Sequence, residues 1–174
     1  MVLKKINAVI ALLAAVLLAL HNILNARMMI LGRVEESPTG LAHALIGLLF
    51  IHILISLSFS VFRNEGNKKI YSKVSIPTLF QRITALAMIP LVLFHGFIRA
   101  GQFGIGLIPI LIAHFFIMLL AYTHIPLSVP NALVTLGIID SSKQHVTVRN
   151  ICWGVCALLF LLGLTASITE VIAL

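Results

Sequence analysis

The chain has 174 residues, of which 60% are hydrophobic and only 10% are charged, whereas a soluble domain carries charge on roughly a quarter of its residues. With so few charged residues the chain cannot cover the surface of a water-soluble protein, which excludes a soluble enzyme. The high hydrophobic content excludes a disordered chain. The formal net charge of +7 does not indicate nucleic-acid binding, because the basic residues stand beside apolar runs, where they act as membrane orientation signals.

Five runs of the chain are long and apolar enough for membrane helices, each of which needs about 20 such residues. We predict an all-α membrane protein, a single domain over 1–174, with spans at 6–26, 38–62, 77–100, 105–124 and 150–172. Pro126 follows the fourth span, so 127–148 is expected to be the longest connection. Cys152 and Cys156 lie one helical turn apart, where a disulfide does not easily close, and we interpret them as packing residues.

The basic residues predict the orientation of the spans. Three of them fall on one side of the membrane: Arg27, Arg33 and Arg99. Nine fall on the other side: Lys4, Lys5, Arg63, Lys68, Lys69, Lys73, Arg82, Lys143 and Arg149. The richer side faces the cytoplasm. This predicts a cytoplasmic N-terminus and an outer C-terminus in a cell membrane, specifically a bacterial or archaeal inner membrane.

Two segments suggest an internal repeat. LLALHNILNA (17–26) and LVLFHGFIRA (91–100) place His at the same point, and Ala-His recurs at 42–43 and 113–114. Helices one and two therefore resemble helices three and four, which predicts a four-helix core of two hairpins with the fifth helix as an addition. Chance similarity in a leucine-rich chain is the alternative.

Six of the seven histidines lie in or at the ends of spans, where an ionisable side chain is costly and indicates function. His21 and His95 are expected near the outer ends of their helices, and His52 and His114 near mid-depth. Two imidazoles on facing helices hold a haem iron axially. We therefore predict one or two haem b groups on these four residues, with His43 as an alternate ligand. Polar packing, a proton path or a non-haem metal are the alternatives.

A second polar cluster is predicted at the inner ends of the third and fourth spans. Its members, which can hydrogen-bond a quinone carbonyl, are Thr78, Gln81, Arg82, Tyr122 and His124. Alternatively, Arg82 is an ordinary anchor whose charge reaches the headgroups.

The segment TLFQRITA (78–85) resembles the S-I-L-H-R-V-T-G stretch of the large cytochrome b anchor subunit of succinate dehydrogenases, although Gln81 stands at the usual His. The resemblance implies that Thr78 and Arg82 line a quinone site. HALIG (43–47) is similar to the H-A-x-I-G stretch of the small anchor subunit, which implies that His43 is a ligand of a single haem. The five-span layout resembles the single-chain dihaem anchors of succinate:quinone and fumarate reductases.

The resemblance implies a haem b membrane anchor, a non-catalytic subunit that passes electrons between a cytoplasmic flavoprotein and iron–sulfur module and membrane quinone. Two alternatives remain open. One is a b-type cytochrome subunit of another membrane oxidoreductase. The other is a haem-free small transporter or anchor whose histidines lie within the membrane.

Overall fold

The computed structural model describes residues 2–32, 39–61, 76–99 and 107–172. They form five α-helices in chain order: α1 (Val2–Ile30), α2 (Thr39–Val61), α3 (Ile76–Arg99), α4 (Leu107–Leu136) and α5 (Ser142–Ile172). All five are long and apolar enough to cross a membrane. This confirms the predicted all-α class with five helices of membrane-spanning length. The ends predicted at 38, 62, 100 and 105 lie outside the described residues.

The predicted end of the fourth helix at 124 was wrong. Helix α4 continues to Leu136 with Pro126 and Pro130 inside it, and both proline side chains are fully buried. Each proline removes one backbone hydrogen bond, but membrane helices tolerate this where neighbouring helices pack around the ring. Packing against the other helices therefore outweighs the helix-ending tendency of the sequence.

The predicted long connection 127–148 is instead a tight turn. Gly137 has a φ of 78°. Its N–H donates to the carbonyl of Val134, and the N–H of Ile138 donates to the carbonyl of Leu133, as in a Schellman motif at the end of α4.

Helix α5 then begins at Ser142, not at 150. Ser141 Oγ accepts the N–H of Gln144, whose side chain accepts the N–H of Ser141, which is a capping box.

Helices α1, α4 and α5 pack against one another, and over the described ranges α2 packs only against α1 and α3 only against α4. Small side chains allow the central approach: Ala26 and Ala166 are almost fully buried and cluster with Met29. Helix α5 thus lies in the packed centre, whereas the sequence suggested an addition to a four-helix core. The repeated segments include Ala26 of α1 but no residue of α5, so the repeat does not predict the contact with Ala166.

The contacts also fix the relative directions of α1 and α5. Asn22 Nδ2 donates to the carbonyl of Leu159 at 2.8 Å, and Ala26, further along α1, meets Ala166, further along α5. The two helices are therefore parallel, and their N-terminal ends lie at the same end of the bundle.

Candidate histidine sites in the bundle

Two histidines on the neighbouring helices α3 and α4 have rings that face each other. The rings of His95 in α3 and His114 in α4 are stacked, with centroids 5.6 Å apart and an interplanar angle of 21°. We call these residues the outer pair. Ser167 of α5 lies beside them, with Oγ 3.2 Å from Nδ1 of His114.

A second pair lies further along α4. His52 of α2 is within electrostatic range of His124 of α4, and we call these two residues the inner pair. His124 follows His114 by ten residues, which corresponds to about 15 Å along a helix. Helix α4 therefore contributes His114 to the stacked outer pair and, further along, His124, which interacts electrostatically with His52.

His52 is held by a side chain of α1. Its Nδ1 lies 2.9 Å from Oδ1 of Asn7, while Nδ2 of Asn7 donates to Oγ of Ser56 at 3.2 Å. Since the amide nitrogen is used on Ser56, the amide oxygen accepts the proton of His52 Nδ1. Asn7 thereby clamps two α2 residues one turn apart and leaves the lone pair of His52 on Nε2.

His124 is held by the N-terminal part of α3. Its Nδ1 lies 3.0 Å from the carbonyl oxygen of Gln81 and 3.2 Å from Oγ1 of Thr84. Thr84 Oγ1 in turn donates to the carbonyl of Phe80 at 2.8 Å. A carbonyl only accepts, so Nδ1 of His124 carries the ring proton and Nε2 carries the lone pair.

The inner pair shares a hydrogen-bonding pattern with metal-binding histidines. Metal-binding histidines donate their other ring N–H to an oxygen, as both His52 and His124 do. Neither Nε2 has a hydrogen-bond partner among the described residues. Helices α2 and α4 are not packed against each other over those residues, and α1 packs against both.

The outer pair shares the chemistry but not the ring arrangement. His114 has the same kind of Nδ1 contact, here to Ser167 Oγ. The stacked rings present their faces to each other, whereas an axial ligand points a ring nitrogen at the iron. In this conformation the stacked rings are therefore not arranged as two ligands of one iron.

The two remaining intramembrane candidates are placed differently. Nδ1 of His21 lies 3.1 Å from Nδ2 of Asn25 in the same helix, so this nitrogen accepts a hydrogen bond and the ring proton lies on Nε2. His43 is exposed on the surface of α2. The structure thus groups His95 with His114 and His52 with His124, whereas the sequence grouped His21 with His95 and His52 with His114 by estimated depth.

The structure brings together only part of the predicted quinone cluster. Gln81 contacts His124 through its backbone carbonyl, and its Oε1 lies 3.5 Å from Nδ2 of Asn131. Thr78 is half-buried and Arg82 is exposed. Tyr122 is buried on another side of α4, where it packs with Met118 and Cys156.

Sequence reasoning did not name Asn7 or Ser167 as site residues. Both are polar residues within apolar runs, and that is a usable signal, because polar side chains in membrane helices find partners on neighbouring helices. Their partners lie 45 and 53 residues away in the chain, so the signal identifies a polar contact without identifying the histidine.

No protein-family model matches this chain, and neither the curated proteins nor the solved structures contain a match. Within the described residues no group of three or more His, Cys, Asp or Glu side chains is arranged to hold a metal ion. A haem iron needs only two axial side chains, because its porphyrin supplies the other four ligands.

Proposed function

We propose that this protein is a haem b membrane anchor that passes electrons between a cytoplasmic flavoprotein and iron–sulfur module and membrane quinone, of the succinate dehydrogenase or fumarate reductase type. The observation that carries the proposal is the inner pair, in which His52 and His124 each donate Nδ1–H to an oxygen. That arrangement orients an imidazole for axial ligation and raises its basicity. The haem, when bound, supplies the one-electron chemistry.

In this proposal the inner pair holds one haem, and the outer pair holds a second one after His95 turns. Spacing along α4 supports the arrangement, since about 15 Å between the pairs places two iron centres in series across the membrane. His43 is not a ligand in this proposal, because it lies exposed on α2.

The two internally packed hairpins, α1 with α2 and α3 with α4, support a repeated unit. We propose that the end at which α1 and α5 begin faces the cytoplasm. Lys4 and Lys5 lie at the start of α1, and Lys143 and Arg149 lie in the first turns of α5, consistent with the positive-inside rule. The flavoprotein and iron–sulfur subunits would dock there, and quinone would bind beside Gln81 and His124.

The first experiment is a dithionite-minus-air difference spectrum of the full chain purified in detergent, with a pyridine haemochrome count. A b-type spectrum with two haems per chain is expected. One haem per chain removes the outer pair from the proposal. No haem, in a preparation where a control cytochrome keeps its own, overturns the proposal and favours a haem-free transporter or anchor.

Ligand variants locate the haem. His52→Ala and His124→Ala are each expected to abolish the same haem, whereas His43→Ala, the matched control on the exposed side of α2, is expected to retain both. Retention of full haem content in His52→Ala or His124→Ala contradicts the inner site.

The partner is tested by purification through a tag on this chain from its native membrane. Co-purified flavin and iron–sulfur subunits with succinate- or fumarate-linked quinone activity are expected. Haem without such subunits points to a b-type cytochrome of another oxidoreductase.

A further inference from the structure

Helix α5 reaches the outer pair through one buried hydroxyl. Ser167 is only 6% exposed, and its Oγ donates to the carbonyl of Gly163 at 2.9 Å. A hydroxyl has a single proton, so that donation leaves only lone pairs for the contact with His114 Nδ1 at 3.2 Å. Nδ1 of His114 is therefore the donor in this contact.

The hydroxyl itself is fixed by the packing of α5. A Cβ built on Gly163 would lie 2.5 Å from Sδ of Met118 and 2.8 Å from Oδ1 of Asn22. Because Gly163 has no side chain, Met118 and Asn22 lie directly against it, which brings the carbonyl of Gly163 and the Ser167 hydroxyl bonded to it close to α1 and α4. The direction of the lone pairs offered to His114 follows from that close packing.

We infer that Ser167 is a positioning residue that holds His114 in the Nδ1–H tautomer, so that α5 determines which ring nitrogen of this outer-pair histidine carries the proton. The ring proton of a neutral imidazole lies on one nitrogen only, and the hydrogen bond made by that nitrogen decides which. Nε2 of His114 is then the nitrogen with the lone pair. The link to electron transfer rests on the proposed function, but the tautomer does not.

The test uses nitrogen-15 histidine NMR of the full chain in its haem-free form, at a pH where imidazoles are neutral. The two tautomers give distinct ring nitrogen shifts, and the His114 signals are those lost in His114→Gln. We expect the Nδ1–H form in the parent chain, its loss in Ser167→Ala, and its retention in Ser167→Thr, which keeps the hydroxyl.

Thr165→Val is the matched control, because the Thr165 hydroxyl is exposed and donates only within α5, to Leu161 at 2.8 Å. It is expected to leave the His114 signals unchanged. An Nε2–H form in the parent chain, or a His114 signal unaffected by Ser167→Ala, overturns the inference.

A second readout applies to the haem-loaded protein. Ser167→Ala is expected to shift the midpoint potential of one haem and leave the other unchanged, with no shift in Thr165→Val. If the protein binds no haem but the tautomer behaves as expected, the proposed function fails and the inference about Ser167 stands. If haem binds and Ser167→Ala alters neither the tautomer nor a potential, the inference alone fails.

Discussion

The amide of Asn7 in α1 holds His52 of α2 at 2.9 Å through its oxygen and Ser56 of α2 at 3.2 Å through its nitrogen. A single side chain therefore sets both the register of two membrane helices and the tautomer of a buried imidazole. The corresponding contact on His124 comes from α3. Each member of the inner pair is thus oriented from a different helix hairpin.

Replacing Asn7 by Leu is expected to weaken haem binding at the inner pair about 10-fold or more, the usual range for loss of an oxygen that orients a metal-bound histidine. The measurement is haem retained during dilution in detergent. Ser58→Ala is the control, because within the described part of the chain the Ser58 hydroxyl donates to Ile55 of its own helix. Equal retention in both variants would show that Asn7 serves helix packing alone.

Replacing Thr84 by Val, which preserves the shape of the side chain, is expected to have a smaller effect. His124 loses one oxygen contact at 3.2 Å but keeps the Gln81 carbonyl at 3.0 Å, so a few-fold loss in haem affinity is expected, less than for Asn7→Leu. Titration of haem into the apoprotein measures it. Thr123→Val removes an exposed hydroxyl bonded to Leu119 within α4 and should bind haem like the parent. A loss larger than that of Asn7→Leu contradicts the ranking.

Replacing Gly163 by Ala is expected to destabilise the bundle, because the new methyl group overlaps Met118 and Asn22. Overpacking of this kind costs about 1–3 kcal/mol of folding free energy. The measurement is the thermal unfolding temperature in detergent, which is expected to fall. Gly154→Ala on the same helix is the control, since nothing lies within 4 Å of its Cβ position. Adding Met118→Ala should recover part of the loss. An unchanged unfolding temperature in Gly163→Ala would show that α5 has room to shift.

The proposed orientation predicts which side of the membrane each helix end reaches. The test uses a chain in which Cys152 and Cys156 are both replaced by Ala. In this background the exposed variant Gln144→Cys should react with a membrane-impermeant maleimide only from the cytoplasmic side. The variant Leu31→Cys, at an exposed position just after α1, should react only from outside. The opposite pattern would reverse the orientation and place the basic end of the bundle outside.

Hydropathy along the chain determined the class of this protein. Five apolar runs of sufficient length predict five membrane helices, because the bilayer admits only helices or closed barrels in which every backbone polar group is satisfied. The same reasoning identified four haem-ligand candidates, since an ionisable group is costly at that depth: His21, His52, His95 and His114, with His43 as an alternate. It placed His124 in the quinone cluster. The predicted end of the fourth helix at Pro126 was wrong. A proline disfavours helix locally, but whether the helix continues past it depends on how the neighbouring helices pack.

Tertiary packing alone decided which histidines meet. Asn7 bonds to a residue 45 positions away and Ser167 to one 53 positions away, and no periodicity within a single helix encodes such contacts. Depth estimates placed His52 with His114, but the relative rotation and offset of the helices brought His114 beside His95 and left His52 in electrostatic interaction with His124. Composition by itself predicts that the chain enters a membrane. Only the tertiary structure shows that small residues such as Ala26 and Ala166 let α1 and α5 approach closely, because such contacts join residues far apart in the chain.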